Sequence, residues 1–251
     1  MWHGEYREPR LVEVYDAEHP WGWEDDFFMR VLADRTTSRV LDLGCGTGRL
    51  AIAMAGAGHE VTAVDLATPC LDAARRKPGA DRVRWVEGSV ETLPPRAFDV
   101  AFLVGHVAEL LVTDEEWSAA LRALRDALVT DGRLILDSRD PVARPWQDWN
   151  RPATERSIVL ADGSAVLAWT ESAPAGEQTV SVVHHYLFPD GAELTSTAVH
   201  RFRDEEALRD SLRTAGFRVE ELYGGWSREP AGLSEDGELI VIAAAEPRML
   251  A

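Results

Sequence analysis

The run Val40-Leu41-Asp42-Leu43-Gly44-Cys45-Gly46-Thr47-Gly48-Arg49-Leu50 constrains the fold of this chain more than any other stretch. Val40, Leu41 and Leu43 read as a buried strand. Glycine at every second position from Gly44 to Gly48 forces a tight turn, and Leu50, Ile52, Ala53 and Met54 continue with helical character until Gly56 to Gly58. A strand, a glycine elbow and a helix N-terminus present bare backbone N–H groups to a ligand. Beyond the elbow, the run Val61-Thr62-Ala63-Val64 ends on Asp65, where a βαβ unit of this kind hydrogen-bonds ribose hydroxyls.

The glycine spacing is D-x-G-x-G-x-G from Asp42 to Gly48. The third small residue of a dinucleotide fingerprint would fall on Arg49, which is too large for close helix–strand packing. A nicotinamide oxidoreductase is therefore disfavoured. The pattern resembles motif I of the class I S-adenosylmethionine-dependent methyltransferases, and Asp65 falls where that family places its ribose-binding acid. The resemblance implies a doubly wound, mostly parallel seven-stranded α/β sheet with helices on both faces, and S-adenosylmethionine as cofactor, released as S-adenosylhomocysteine. It implies a site built from Asp42, Gly44, Cys45, Gly46 and Gly48 around the methionine portion, Asp65 on the ribose and Leu66 over the base. Gly88, Ser89 and Val90 follow the third strand beside the adenine, with Ser89 where family members often carry Asp. Val104 closes the fourth strand against the cofactor.

Forty-three acids against 26 bases give a net charge of −17. Nucleic-acid recognition neutralises phosphates with Lys and Arg, and anionic membranes need the same charges, so both partners are disfavoured. No apolar run approaches the ~20 residues of a membrane span, and Met1 to Glu5 shows no basic segment leading into an apolar one. Two cysteines, Cys45 and Cys70, suit a reducing cytoplasm rather than a disulfide framework, and no metal site is expected.

Helical periodicity runs from Glu24 to Ala33, and Thr68-Pro69 reads as the N-cap and first residue of a helix ended by Pro78-Gly79. Strands are expected at Val83 to Val86, at Phe98 to Val104 and at Leu134 to Leu136. Between the last two, Thr113 to Glu116 forms a capping box for an amphipathic helix that stops before Asp131-Gly132. From Arg156 to Phe202 the pattern changes to period two, and Asp162-Gly163 and Asp190-Gly191 mark two antiparallel hairpins. Asp204 caps a last helix ended by Gly216, followed by strands at Phe217 and at Leu239 to Ile242. The organisation expected is an N-terminal helical and aromatic cap over 1–34, a cofactor-binding α/β domain over 35–150 and 203–251, and an inserted antiparallel region over 151–202. The insertion would serve as a roof over the pocket or as a homodimer contact.

His106 follows the fourth strand, in the ligand crevice of an open parallel sheet, and a neutral imidazole there would act as general base near pH 7. Glu109 would orient it or bind a cationic substrate, against the alternative of a solvated acid at a helix start. Tyr15, Trp21, Trp146, Trp169 and Tyr186 are candidates for an aromatic pocket around a partly apolar small molecule. His184 and His200 would share a face of the insertion in a structural role. The leading reading is methyl transfer to a small-molecule acceptor, such as a secondary metabolite. The alternative is an S-adenosylmethionine-binding protein of the same fold with other chemistry or a sensing role.

Overall fold

The computed structural model of the chain describes residues 6–33, 35 and 37–247; the Met1–Glu5 segment considered above lies outside them. Seven strands form one sheet: β1 (Arg39–Leu43), β2 (Glu60–Asp65), β3 (Arg84–Glu87), β4 (Phe98–Leu103), β5 (Leu128–Arg139), β10 (Phe217–Tyr223) and β11 (Glu238–Ala245). Their order is β10-β11-β5-β4-β1-β2-β3, parallel except for β11, which runs antiparallel to both β5 and β10. The order reverses between β1 and β4, and this switch opens a crevice at the carboxyl ends of the strands.

Two apolar layers hold this sheet. On one face, α2 (Trp23–Ala33) and α3 (Arg49–Gly56) bury Phe27, Phe28, Leu50 and Met54 against Val40, Phe102 and Ile240. On the other, α5 (Asp114–Ala127) and α7 (Glu205–Thr214) bury Leu121, Leu124, Leu208 and Leu212 against Leu41, Leu136 and Val241. Strands covered on both faces lose the polar alternation of a half-solvated sheet, and every residue of β11 is buried accordingly.

A second sheet, in the order β6-β7-β8-β9, comprises β6 (Arg156–Val159), β7 (Ala165–Gly176), β8 (Thr179–Leu187) and β9 (Glu193–Arg201). The two expected hairpins are thus one antiparallel meander, because β7 and β8 also pair along their length. One end of its inner face packs on α1 (Pro9–Glu18), where Leu11 and Val14 meet Val166, Ala168 and Tyr186. The other end rests on Trp146 and Trp149 through Val180, Val182 and Phe202.

Local expectations shift in three places. α5 ends at Ala127 rather than near Asp131, because Leu128 already pairs with Phe98 in the sheet. Asp131 then adopts φ 59° inside a long β5, beside a register shift. β4 stops at Leu103, leaving Val104 in the following turn. The N-cap of α4 (Thr68–Arg75) is Ala67, whose N–H is held by the Asp65 carboxylate, so Thr68 is already helical. The Thr113–Glu116 capping box and the Asp204 cap form as expected.

Candidate active site at the carboxyl edge of the sheet

The glycine elbow uses backbone conformations that other residues rarely adopt. Gly44, Gly46 and Gly48 all have φ between 53° and 79°. A Cβ on Gly44 would lie 2.7 Å from the Val107 side chain, and one on Gly48 would strike Trp85 and Ala74. The elbow therefore presses directly on the loop after β4, which carries His106. The Asp65 carboxylate accepts hydrogen bonds from the N–H groups of Gly46 and Ala67, both at 2.8 Å, so it clasps the elbow as well as ending β2. Each of its oxygens keeps a further lone pair. Leu66 beside it is 41% exposed.

Asp42 is buried beneath this elbow, and among the described residues no donor reaches its carboxylate. Burial, with the neighbouring charge of Asp65, pushes its pKa up to about 7. Burial also raises Asp65. A buried acid and a half-buried one, with no cation beside them among the described residues, are costly unless a cationic ligand sits there. S-adenosylmethionine carries an ammonium and a sulfonium, so these residues fit it: Asp42 and the elbow for the methionine portion, Asp65 for the ribose. Tyr15 lies about a van der Waals contact from a Cβ placed on Gly46, which puts α1 over the elbow. Asp16 of α1 accepts from the Thr47 hydroxyl and from Lys77 Nζ at 2.8 Å, and Lys77 also donates to the Thr47 carbonyl at 2.9 Å. Ser89 caps a short turn by accepting from the Glu91 N–H, with Gly88 and Val90 on either side. Cys45 tucks into the apolar layer under the elbow, as does Val104.

His106 adopts φ 62°, a left-handed conformation uncommon outside glycine and typical of functional loops. Its Nε2 stands 3.0 and 3.1 Å from the two Glu238 carboxylate oxygens and 3.7 Å from Asp137 Oδ2. Asp137 ends the apolar run of β5 and Glu238 opens β11. Burial and the Arg139 charge oppose protonation of His106. Asp137, Glu238 and Glu109 outweigh them and hold its pKa above the ordinary value. Two carboxylates flank the ring and favour its protonated form more than water does around a free imidazole. Burial pushes Asp137 up to about 6; apart from the ring, among the described residues it receives only the His106 backbone N–H at 3.3 Å. The three side chains bring ligating atoms within 4.8 Å of one another, a spacing that suits an ammonium group or a metal cation.

Glu109 is not the solvated acid that its place at a helix start suggested; it is fully buried. One oxygen accepts from the Arg139 backbone N–H at 2.8 Å. The other accepts from Arg139 Nη1 at 2.8 Å and lies 2.9 Å from His200 Nδ1 of β9. Burial alone would raise its pKa, but the Arg139 charge and the His200 hydrogen bond pull it down to about 2. Its oxygens are taken, so it joins the second sheet to the first rather than offering a free contact to substrate.

The aromatic candidates disperse. Trp169 and Tyr186 lie on opposite faces of the second sheet, because Trp169 pairs with His185 while Tyr186 pairs with Ala168. Trp169 stacks on His185 and lies against the Arg151 guanidinium on the outer face, away from the inner-face cavity. Tyr186 is buried under α1. Trp146 stacks on Phe202 at 4.4 Å between ring centroids, and Trp21 is half-exposed, donating its indole N–H to Asp26. Trp149, by contrast, lines a cavity of about 400 Å³ with Arg139, Arg156, Thr170, His184 and His200. His184 and His200 share that inner face. Neither Arg139 nor Glu238 stands in a sequence pattern that would single it out. Asp137 carried the same signal as Asp65, an acid closing an apolar strand run.

The chain matches the family model described as a methyltransferase domain over residues 40–132. It is 31% identical over 207 residues to a cypemycin N-terminal methyltransferase from a Streptomyces species, covering 81% of this chain and 82% of that protein. A methyltransferase structure from Streptomyces caelestis superposes with a TM-score of 0.76 at 23% identity, over 94% of this chain and 96% of the other. An S-adenosylmethionine-bound amino pentose methyltransferase from Micromonospora echinaspora gives 0.66 at 22% identity, over 92% and 94%.

Proposed function

This chain belongs to the class I S-adenosylmethionine-dependent methyltransferases, and from that premise we propose that its acceptor is an amine of a small molecule. The observation that carries this reading is the buried cluster of Asp137 and Glu238 around His106. Even with an imidazolium at its centre, two carboxylates leave an excess negative charge in a desolvated place. An ammonium arriving there supplies the missing charge. The same groups then take up the proton that an amine must lose before it can attack, and Asp137, with a pKa near 6, is matched to that transfer near neutral pH.

Bound S-adenosylmethionine supplies an electrophilic methyl group on its sulfonium. The chain positions the acceptor opposite it: the elbow touches Val107, next to His106, so cofactor and acid cluster share one wall. The second sheet, tied to the loop after β4 by His200 and Glu109, would roof this region in the complex, and positioning in a dry pocket accounts for much of such a displacement. The names of two relatives support an amine: one acts at an N-terminus and another on an amino pentose. The net charge of −17 supports a small acceptor over a nucleic acid. Cys45 and Cys70 form no disulfide, which supports a reducing, cytoplasmic setting.

The test is transfer from methyl-labelled S-adenosylmethionine to matched panels of small amines, phenols and carbon acids, with products identified by mass spectrometry. Methylated amines are expected, and Glu238→Gln should lower kcat/KM for them while leaving S-adenosylhomocysteine affinity unchanged. Methylation confined to phenols or carbon acids would overturn the reading.

A further inference from the structure

We propose that the cavity beneath the four-stranded sheet is an anion subsite, in which Arg139 and His184 hold a carboxylate or phosphate of the acceptor. Resting on the amine reading above, this makes the acceptor a zwitterion, its cationic end at the His106 cluster and its anionic end under the second sheet.

The argument is a count of hydrogen-bonding groups around the roughly 400 Å³ space. Among the described residues, Glu155 in the lining and Glu109 and Glu18 beside it are each engaged. Glu109 is bonded by Arg139 and His200, Glu18 by Arg156, and Glu155 by Arg151 at 2.7 Å. The donors are in surplus. Arg156 spends its fork on Glu18 and on the Thr154 carbonyl. Arg139 gives only Nη1 to Glu109; among the described residues its Nε and Nη2 meet no acceptor, and the guanidinium stands 5.3 Å from the Trp149 ring. That Nε–Nη2 edge is the fork that matches two oxygens of one carboxylate or phosphate. His184 shares its Nδ1 with the Thr170 hydroxyl at 2.9 Å. With the hydroxyl donating, Nε2 carries the ring proton as a second donor. Burial, with the neighbouring His200, lowers the His184 pKa to about 4 and keeps that ring neutral, so it adds a donor without a second charge.

The two sites complement each other. The His106 cluster holds more acceptors than donors, and the cavity holds more donors than acceptors. Arg139 and Glu109 stand between them, and both act electrostatically on His106.

The experiment measures binding to the full-length protein saturated with S-adenosylhomocysteine, by calorimetry. The probes are benzylamine, benzoate, 4-(aminomethyl)benzoate and 4-(aminomethyl)phenylphosphonate. At least one of the two zwitterions should bind at least about tenfold tighter than benzylamine, and the tighter of the pair identifies the anionic group. Arg139→Lys keeps a cation for Glu109 but removes the fork, and should reduce that advantage to less than about threefold. The paired change Arg139→Gln with Glu109→Gln should do the same without an unpaired buried acid, and if it fails to fold, Arg139→Lys decides. Equal affinities for zwitterions and benzylamine, or an advantage that survives in the variants that fold, would overturn the subsite. Benzoate binding that depends on Arg139, with no benzylamine binding, would retain the subsite and sink the amine reading.

Discussion

Two buried acid clusters lie within one turn of each other, and they differ in whether the protein supplies their counter-charges. Glu109 has Arg139 and His200 in place, and its pKa falls to about 2. Asp137 shares one imidazole with Glu238, and its pKa rises to about 6. Burial is nearly complete for both acids, so desolvation alone does not separate them. The difference is the cation. A buried acid whose partners are built in behaves as a structural rivet, whereas one whose partner is missing is a place for a ligand. Asp42, raised to about 7 beneath the glycine elbow, belongs with Asp137.

The largest effect that could break this contrast is on stability. Glu109→Gln leaves the partly exposed Arg139 without its acid and loosens the tie to β9, so unfolding free energy at pH 7 should fall by about 3 kcal/mol. For a chain of this length each kcal/mol corresponds to roughly 2–4 °C in Tm. Because the folded pKa of Glu109 is depressed from 4.5 to about 2, its contribution is complete above pH 4.5. It is lost as pH falls toward 2, and the gap between wild type and variant should close over that window. A variant melting within a degree or two of wild type at pH 7 would remove the rivet from the comparison.

Next in size is the cofactor side. If Asp65 binds the ribose, as proposed, Asp65→Ala removes those hydrogen bonds, each charge-assisted bond being worth about 1.5–3 kcal/mol before compensation, and it also releases the clasp on Gly46. Affinity for S-adenosylhomocysteine should drop by at least about tenfold, as read by calorimetry. Asp42→Asn should weaken the same ligand less, because one amide acceptor remains. Unchanged affinity in both would detach these acids from the cofactor.

Asp137→Asn should act in the opposite sense to Glu109→Gln. The folded pKa of Asp137 is raised from 3.8 to about 6. The charged side chain therefore costs nothing below pH 3.8, and its cost is fully present above pH 6. Neutralising it should stabilise the ligand-free protein by about 1–3 kcal/mol at pH 8, with the gain fading toward pH 4. Turnover of an amine acceptor should fall at the same time. A loss of stability at pH 8 would mean that Asp137 already has its cation.

These contrasts were unevenly legible in the sequence. The glycine elbow, the place of Asp65 at the end of β2 and the seven-stranded sheet could be read because periodicity and turn chemistry are local. The faces of the second sheet could not: Trp169 looked like a pocket residue by size, yet Val166, Ala168 and Thr170 hold the inner face. Glu109 read as solvated because its partners, Arg139 and His200, are 30 and 91 residues away. Whether an acid is paired depends on tertiary neighbours, and that pairing is the property that sorts these acids. Lys77, the only lysine in the chain, likewise gave no sign that it ties α1 to the elbow.

That tie is the smallest test and sets a lower bound on the comparison. Asp16 has its cation, as Glu109 does, but Lys77 and Asp16 are each about a third exposed, at 29% and 33%. Water already solvates both charges, so the pair should contribute no more than about 1 kcal/mol. Lys77→Met should thus leave Tm within a few degrees of wild type. It also removes a donor from the Thr47 carbonyl at the centre of the elbow, and α1 then rests on the elbow through the Thr47 hydroxyl alone among these polar contacts. Dissociation of S-adenosylhomocysteine, followed by stopped-flow fluorescence, should accelerate a few-fold at unchanged fold stability. A stability loss as large as that of Glu109→Gln would show that pairing, and not pairing together with burial, makes the rivet.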